Sequence, residues 1–326
     1  MRSDEYKNVT MKDIAQRVGV SVDAVSKALR DAKDISNKKK EEIKRVADEM
    51  GYIPNSFAQS LKNGTANTIA ILFNDFYNPY FTISCHKAFH KIIEKGYKCQ
   101  LMFYNSELLT IEDIRNIMVN NFCGIISFIE PTDEVITFFK ARKLPFTLIG
   151  IKSNNPDIDC VYTDDYSGGM QVAEYFINNN YNNALYISNS SSETSKRRMD
   201  GFINFCNSYN KNCFNITHEE FSENKILNLI NKENIDFVFC FSDAIAISLK
   251  NVIKKKRIQN SIKIVGFDNL SKYYPLLQNI DSVGSNMDEI IEFACNHIIK
   301  KINNETSYSD HINMMFPTHI YVKNKN

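Results

Sequence analysis

Residues 9–64, VTMKDIAQRVGVSVDAVSKALRDAKDISNKKKEEIKRVADEMGYIPNSFAQSLKNG, decide the fold of the amino-terminal end. Thr10 precedes an amphipathic run with Asp13 three residues on, a relative of the capping box in which side-chain oxygens satisfy orphaned backbone amides. Ile14, Ala15 and Val18 fall on one face of that run, and Gly19 ends it. Val20 bridges to Ser21, which is placed to cap a second helix whose apolar side is Ala24, Val25 and Leu29. Two short helices joined by a tight Gly-containing turn have helix-turn-helix spacing. A third helix starts at Ser36 and buries Ile43, Val46, Ala47 and Met50 at i, i+3, i+4 and i+7, with Lys and Glu on its other side.

Two readings of such a module stay open on the turn pattern alone, a DNA-gripping headpiece and a structural or protein-docking bundle. In the first, the second helix enters the major groove and Val22, Asp23, Ser26, Lys27 and Arg30 face base edges. The segment that follows favours it. Pro54 suits a helix N-terminus, and Ser56 to Lys62 can make two turns before Asn63-Gly64, a helix too short to be stable alone.

With VTMKDIAQRVGVS, AVSKAL, GYIPN and AQSLK in place, the chain closely resembles the lactose-repressor/galactose-repressor (LacI/GalR) family of bacterial transcription regulators. The resemblance implies that hinge helices of two subunits pair in the minor groove and that a leucine from each, here Leu61, wedges a central base step open. An apolar wedge meets an independent physical demand, because unstacking a step costs a few kcal/mol that contacts with the bent duplex must offset. By the same resemblance Lys62 lies against the central bases, and Ala58 belongs to the matched hinge. Thr10, Ser21, Ser36, Tyr52 and Asn55 match positions that hold phosphates or the hinge, contacts that orient the module without reading sequence.

The departures from the family pattern lie where base specificity resides. Val22 and Asp23 stand where long polar readers are common. Asp23 either accepts from a cytosine amino group or faces water at the positive helix N-terminus. Lys27 replaces a common arginine and lacks its rigid fork.

Composition agrees with a small module followed by one large or two medium domains, since 326 residues with 43% hydrophobic content are ample for a core. Residues 1–64 carry 13 Lys/Arg and 10 Asp/Glu, net +3, which leaves −2 for the rest of the chain. That difference is too small to diagnose nucleic-acid binding, but it implies salt-sensitive association. There is no N-terminal apolar h-region and no run of roughly 18 apolar residues, so a cytoplasmic protein is expected. The eight cysteines (Cys85, Cys99, Cys123, Cys160, Cys206, Cys213, Cys240, Cys295) contain no CxxC pair and read as reduced thiols. Cys85, His86 and His90 form the one grouping with metal-ligand spacing, and with no further ligand at hand no metal or cofactor is expected.

Beyond Gly64 apolar strands alternate with helices. Strands are predicted at 69–73, 99–104, 124–129, 146–149 and 160–163, then at 184–187, 236–241, 262–267 and 282–283. Helices are predicted at 81–95, 111–120, 167–178, 196–209, 244–255 and 287–302. This is an α/β core of two doubly wound parallel-sheet lobes, with ligands expected beyond the carboxyl ends of the strands. The domain reading is therefore 1–53 headpiece, 54–64 hinge helix and 65–326 effector-binding and dimerisation core.

NDFYNPYF, TDDYSGG, RMDGF, SDAIA and IVGFDN make the core similar to the family's effector domain, which is shaped like periplasmic sugar-binding proteins. By resemblance Tyr80 and Phe81 stack on a sugar or base, Arg198 holds a hydroxyl or carboxylate, and Asp268 accepts from the second lobe. Asp75, Ser127, Asp164, Ser242 and Asp243 are further candidates, with helix capping as the competing role for Asp164 and Asp243 and core packing for Phe81. Carboxylates and a guanidinium with an aromatic face suit polyols. Gly150 stands where many sugar-responsive members carry an acid, and NNNYNNALYI lacks the usual histidine. The effector is thus an unusual sugar, a non-sugar, or absent.

No GxxxxGK, GxGxxG after a strand, GxSxG or HExxH is present, so no catalytic residue is assigned. The expected function is a dimeric, effector-controlled repressor on a palindromic operator. A sugar- or nucleotide-modifying core fused to a headpiece is the alternative. The chain ends soon after HIYVK without a heptad tail, which favours a dimer.

Overall fold

Three side-chain caps set the three helices of the amino-terminal unit. Thr10 and Asp13 complete a reciprocal capping box at α1 (Met11–Val18), Ser21 accepts from Ala24 N–H at 3.1 Å ahead of α2 (Val22–Leu29), and Ser36 accepts from Lys39 N–H ahead of α3 (Asn37–Glu49). Gly19 takes φ +69° at the end of α1, a left-handed turn that glycine enters without steric cost and that sends the chain straight into α2. Ile14, Ala15, Val25, Ala28, Ile43, Val46 and Ala47 form the buried core, with Tyr52 packed at its edge. The computed structural model describes residues 9–52, 66–220, 222–256, 262–275 and 280–323. The expected hinge, with Asn55, Ala58, Leu61 and Lys62, lies outside the described residues.

The chain divides into two units, Met1–Thr65 and Ala66–Asn326. The larger unit holds two six-stranded sheets. The strands are β1 (Thr68–Phe73), β2 (Lys98–Phe103), β3 (Leu108–Leu109), β4 (Gly124–Ser127), β5 (Glu130–Pro131), β6 (Phe146–Ile149), β7 (Asp159–Thr163), β8 (Asn183–Ser188), β9 (Asn212–Thr217), β10 (Phe237–Cys240), β11 (Lys263–Phe267), β12 (Asp281–Gly284), β13 (Asn313–Phe316) and β14 (His319–Tyr321). The first sheet has the order β13-β7-β6-β4-β1-β2 and is parallel throughout. The second has the order β14-β12-β11-β10-β8-β9 and is parallel except for β14, while β3 and β5 form a short separate ladder. The helices are α4 (Pro79–Glu94), α5 (Ile111–Met118), α6 (Asp133–Arg142), α7 (Asp165–Asn178), α8 (Glu193–Ser208), α9 (Glu223–Lys232), α10 (Asp243–Lys255) and α11 (Met287–Ile302). The chain passes from one lobe to the other after β7, after β12 and after β13. Among the described residues no helix is long and apolar enough to cross a membrane.

Central strands are apolar on both faces, as parallel sheets covered by helices require: β1, β4, β6, β8, β10 and β12 are buried almost throughout. The predicted strand 124–129 stops at Ser127. Its hydroxyl donates to Ile129 C=O at 2.7 Å and accepts from Ile129 N–H at 3.0 Å, which turns the chain out of the sheet. The predictions omit β9, β13, α6 and α9, and also the two-residue strands β3 and β5. The first two are edge strands on which β9 buries only Ile216 and β13 only Phe316, so their sequences lack the apolar run that marks the central strands.

Two helices of the second lobe cross with their backbones in contact. A Cβ on Gly169 would lie 2.1 Å from Arg198 O, and one on Gly201 2.1 Å from Tyr166 O. The glycines of TDDYSGG and RMDGF therefore let α7 and α8 approach to a distance no other residue permits, which brings the first turn of α7 against Arg198.

Candidate functional site

Residues just past the carboxyl ends of the strands converge on a cavity of about 1050 Å³. Asp75 follows β1, Phe128 follows β4, Gly150 follows β6, Asn189 follows β8, Phe241 follows β10 and Asp268 follows β11, so both lobes contribute walls. Open α/β sheets bind ligands in this place because the strand ends leave a crevice there.

Arg198 is the electrostatic centre. Its Nε donates to Asp165 Oδ1 at 2.8 Å, its Nη1 donates to Phe241 C=O at 2.5 Å and stands 3.5 Å from Asp268 Oδ1, and the guanidinium lies 3.5 Å over the Phe267 ring. Burial opposes its charge, but Asp165 and Asp268 outweigh that penalty and hold its pKa above the ordinary value. Asp268 has φ +103°, a backbone state that non-glycine residues rarely adopt, and its N–H donates to Val283 C=O at 2.8 Å. Burial pushes its carboxyl well above the usual carboxylate range despite Arg198. A strained, poorly solvated acid beside a cation can exchange hydrogen bonds with a hydroxyl group.

The opposite wall is aromatic. Tyr80 and Phe81 open α4 after the cap of Asn78, with Phe81 edge-on to Phe128 at 5.9 Å. Burial raises the Tyr80 phenol, which therefore stays a neutral donor. Gly150 has φ +84°, and a Cβ there would stand 3.2 Å from the Tyr80 hydroxyl. The tyrosine thus fills the side of the cleft where the family resemblance implies an acid. Asp75 lines the cavity while accepting from Tyr77 N–H at 2.7 Å and Asn78 N–H at 3.1 Å, an Asx turn that fixes the entry to α4. Ser242 lines it too and caps α10 through Ile245 N–H.

Three sequence candidates are not brought to the cavity. Ser127 is spent on the turn at Ile129. Asp164 caps α7 through Ser167 N–H at 3.1 Å. Asp243 is buried beneath the site, where it accepts from Leu270 N–H at 2.8 Å and from the Ser282 hydroxyl at 2.6 Å, and so fixes the turn that carries Asp268. Sequence reasoning passed over Asp165, Phe128, Glu130, Glu193, His218 and Phe241. Asp165 is adjacent to the chosen Asp164 and only the Gly169–Gly201 crossing tells them apart; Phe241 was signalled by its place at the end of a strand.

Burial pushes the Asp243 carboxyl up to about 7 from 3.8. The folded state then holds a proton that the unfolded chain has released, so this group's contribution to stability is full below the unfolded pKa and falls as pH rises through the folded one. One such proton gives a slope of about 1.4 kcal/mol per pH unit at most. Asp243→Asn is expected to flatten the decline of denaturation free energy across that window, and an unchanged slope would show that Asp243 does not titrate there.

In the headpiece unit the outward face of α2 carries Val22, 44% exposed, with Asp23, Ser26, Lys27 and Arg30. Lys27 Nζ pairs with Asp23 at 3.2 Å and Asp34 at 2.8 Å, and Arg30 Nε donates to Ser26 C=O at 3.1 Å. Solvent-exposed pairs of this kind are weak and exchange easily for other polar partners.

A family profile described as "Bacterial regulatory proteins, lacI family" matches residues 10–55. One described as "Periplasmic binding proteins and sugar binding domain of LacI family" matches residues 102–324. The chain is similar to the HTH-type transcriptional repressor PurR of Photobacterium profundum, with 24% identity over 280 residues covering 80% of this chain and 82% of that protein. It is also similar to the probable HTH-type transcriptional repressor ExuR of Bacillus subtilis, with 23% identity over 321 residues covering 93% and 95%. In fold it is similar to the solved lac repressor dimer bound to operator and the anti-inducer ONPF, with a TM-score of 0.75 and 16% identity covering 97% and 98% of the two chains.

Proposed function

The chain belongs to the LacI family of bacterial regulatory proteins and is a DNA-binding transcriptional regulator, and from that premise we propose that it represses transcription as a dimer on a near-palindromic operator, under control of a neutral or basic polyhydroxylated effector. The observation that carries the effector class is the charge of the cleft. Among the described residues its lining holds Asp75, Glu107 and Glu193, together with Glu130 and Asp268 whose carboxyls burial pushes up, against one arginine. Arg198 is already neutralised by Asp165 at 2.8 Å. A sugar acid or sugar phosphate would meet net negative charge with no uncommitted cation, whereas hydroxyls or an ammonium meet acceptors and an aromatic wall. The role of the cleft is binding and not turnover.

Effector control follows from the two-lobed design. A ligand that prefers one closure state shifts the separation of the two headpieces, with coupling of typically about 1–3 kcal/mol. Thr10, Ser21, Ser36, Tyr52 and Asn55 hold phosphates or the hinge, Val22, Asp23, Ser26, Lys27 and Arg30 face the bases, and in the hinge that includes Ala58, Leu61 wedges the central step with Lys62 against the central bases.

The test is a selection of duplexes from random sequence with the purified chain, followed by melting shifts with neutral, amino, acidic and phosphorylated sugars. A two-fold symmetric motif is expected. Lys27→Ala should relax one position per half-site, and Leu61→Ala should weaken the selected duplex far more than random DNA. An asymmetric motif, equal losses on both duplexes, conversion of a sugar by the protein, or shifts with acidic sugars alone would each overturn the corresponding part.

A further inference from the structure

The outer face of α4 carries a pair of side chains that the regulator's DNA and effector sites do not use. His86 and His90 are one helical turn apart and both exposed, and their Nε2 atoms lie 3.1 Å from each other with ring centroids at 4.5 Å. Without an ion, one ring must present N–H and the other a lone pair along that line. Two imidazole nitrogens bound to one ion at about 2.0–2.1 Å, at angles between square and tetrahedral, stand about 2.8–3.4 Å apart. The observed separation falls inside that range.

We propose that His86 and His90 form a chelating site for a divalent transition ion of the nitrogen-preferring class, Zn²⁺, Ni²⁺ or Cu²⁺. The backbone holds the pair, because i and i+4 share a helix face, and ordering two rings already in contact costs little. Imidazole selects these ions over Mg²⁺ and Ca²⁺, which take oxygen ligands. Cys85 is not a ligand, because it is buried on the inner face of the helix. Among the described residues no third His, Cys, Asp or Glu joins the pair, so water completes the coordination.

The test is calorimetric titration of the untagged full chain with zinc chloride alone, and with magnesium chloride alone as the control. The thiols of the cysteines are a competing source of zinc affinity, so the comparison is with His86→Ala and His90→Ala, both exposed positions whose folding is checked by circular dichroism. Since outer-shell partners of metal ligands are already worth about 10–100-fold in affinity, loss of a direct ligand should weaken zinc at least tenfold in each variant. Wild-type zinc affinity retained in either variant, no zinc binding by the wild type, or equal affinity for magnesium would overturn the assignment.

Discussion

Arg198→Ala is expected to abolish the response to effector and to remove about 3–5 kcal/mol of core stability, the usual cost of breaking a buried ion pair from one side. Asp165 and Asp268 have side chains only 4% and 6% exposed, and both lean on this guanidinium. Once it is gone, Asp165 keeps the Thr163 hydroxyl at 3.2 Å, and Asp268 has lost its nearest cation. The Phe241 carbonyl loses its donor and the Phe267 ring its cation. Two buried acids without a cation respond by binding protons. Their folded pKa values then rise further above the unfolded ones, so the penalty grows with pH and shrinks in acid. Arg198→Lys separates stability from recognition. Lysine restores a charge but not the fork that reaches Asp165 and Phe241 together, so part of the stability should return without the effector response. The measurements are denaturation free energies and the melting shift with whichever sugar the wild type binds. An Ala or Lys variant that responds like the wild type would place the anchor elsewhere.

The headpiece was legible because its signals are local. Thr10, Asp13, Gly19, Ser21 and Ser36 act within three or four residues of themselves, and each does in the structure what its spacing implies. The two-sheet core was legible because central parallel strands are continuous apolar runs, which the missed edge strands β9 and β13 lack. The cleft was legible only in outline. Tyr80, Phe81, Arg198 and Asp268 do meet at one cavity. The choice between Asp164 and Asp165, and between lining and propping for Asp243, depends on the α7–α8 crossing and on the turn after β11, which join residues far apart in the chain. Ser127 illustrates the same limit on a small scale, since a serine at a strand end serves a ligand or a turn and only geometry shows which.

The second large effect is expected outside the cleft, at Lys301→Met, again about 3–5 kcal/mol at neutral pH. Lys301 Nζ lies 2.6 Å from Asp159 Oδ2, with the two side chains 1% and 2% exposed. Ile312 N–H donates to Asp159 Oδ1 at 2.9 Å, His297 Nε2 stands 3.3 Å from Asp159 Oδ2, and Lys301 also donates to Tyr308 C=O at 3.2 Å. One carboxylate thereby ties the start of β7, the last turns of α11 and the segment that leads into β13, so the cluster holds the returning chain on the first lobe. Methionine fills the same volume and leaves Asp159 charged with little to face it. Burial works against that charge in the native protein, but His297 and Lys301 overcome it and hold the carboxyl below 3.8. Its favourable contribution is therefore present above the unfolded pKa and lost as pH falls through the folded one. In the variant the folded value of Asp159 rises, so the carboxyl sheds its charge more readily and the gap between the two proteins should narrow on acidification. Asp159→Asn combined with Lys301→Met removes both charges and should recover much of the loss. Effector affinity should not change, because Asp159 and Thr163 mark opposite ends of β7 and only Thr163 lines the cavity, about 13 Å of strand away. Arg198 and Lys301 thus make opposite demands on one pair of measurements. Both changes should lower stability, only the first should silence the cleft, and a Lys301 variant that loses effector binding while remaining folded would mean that this cluster, and not the α7–α8 crossing alone, sets the shape of the site.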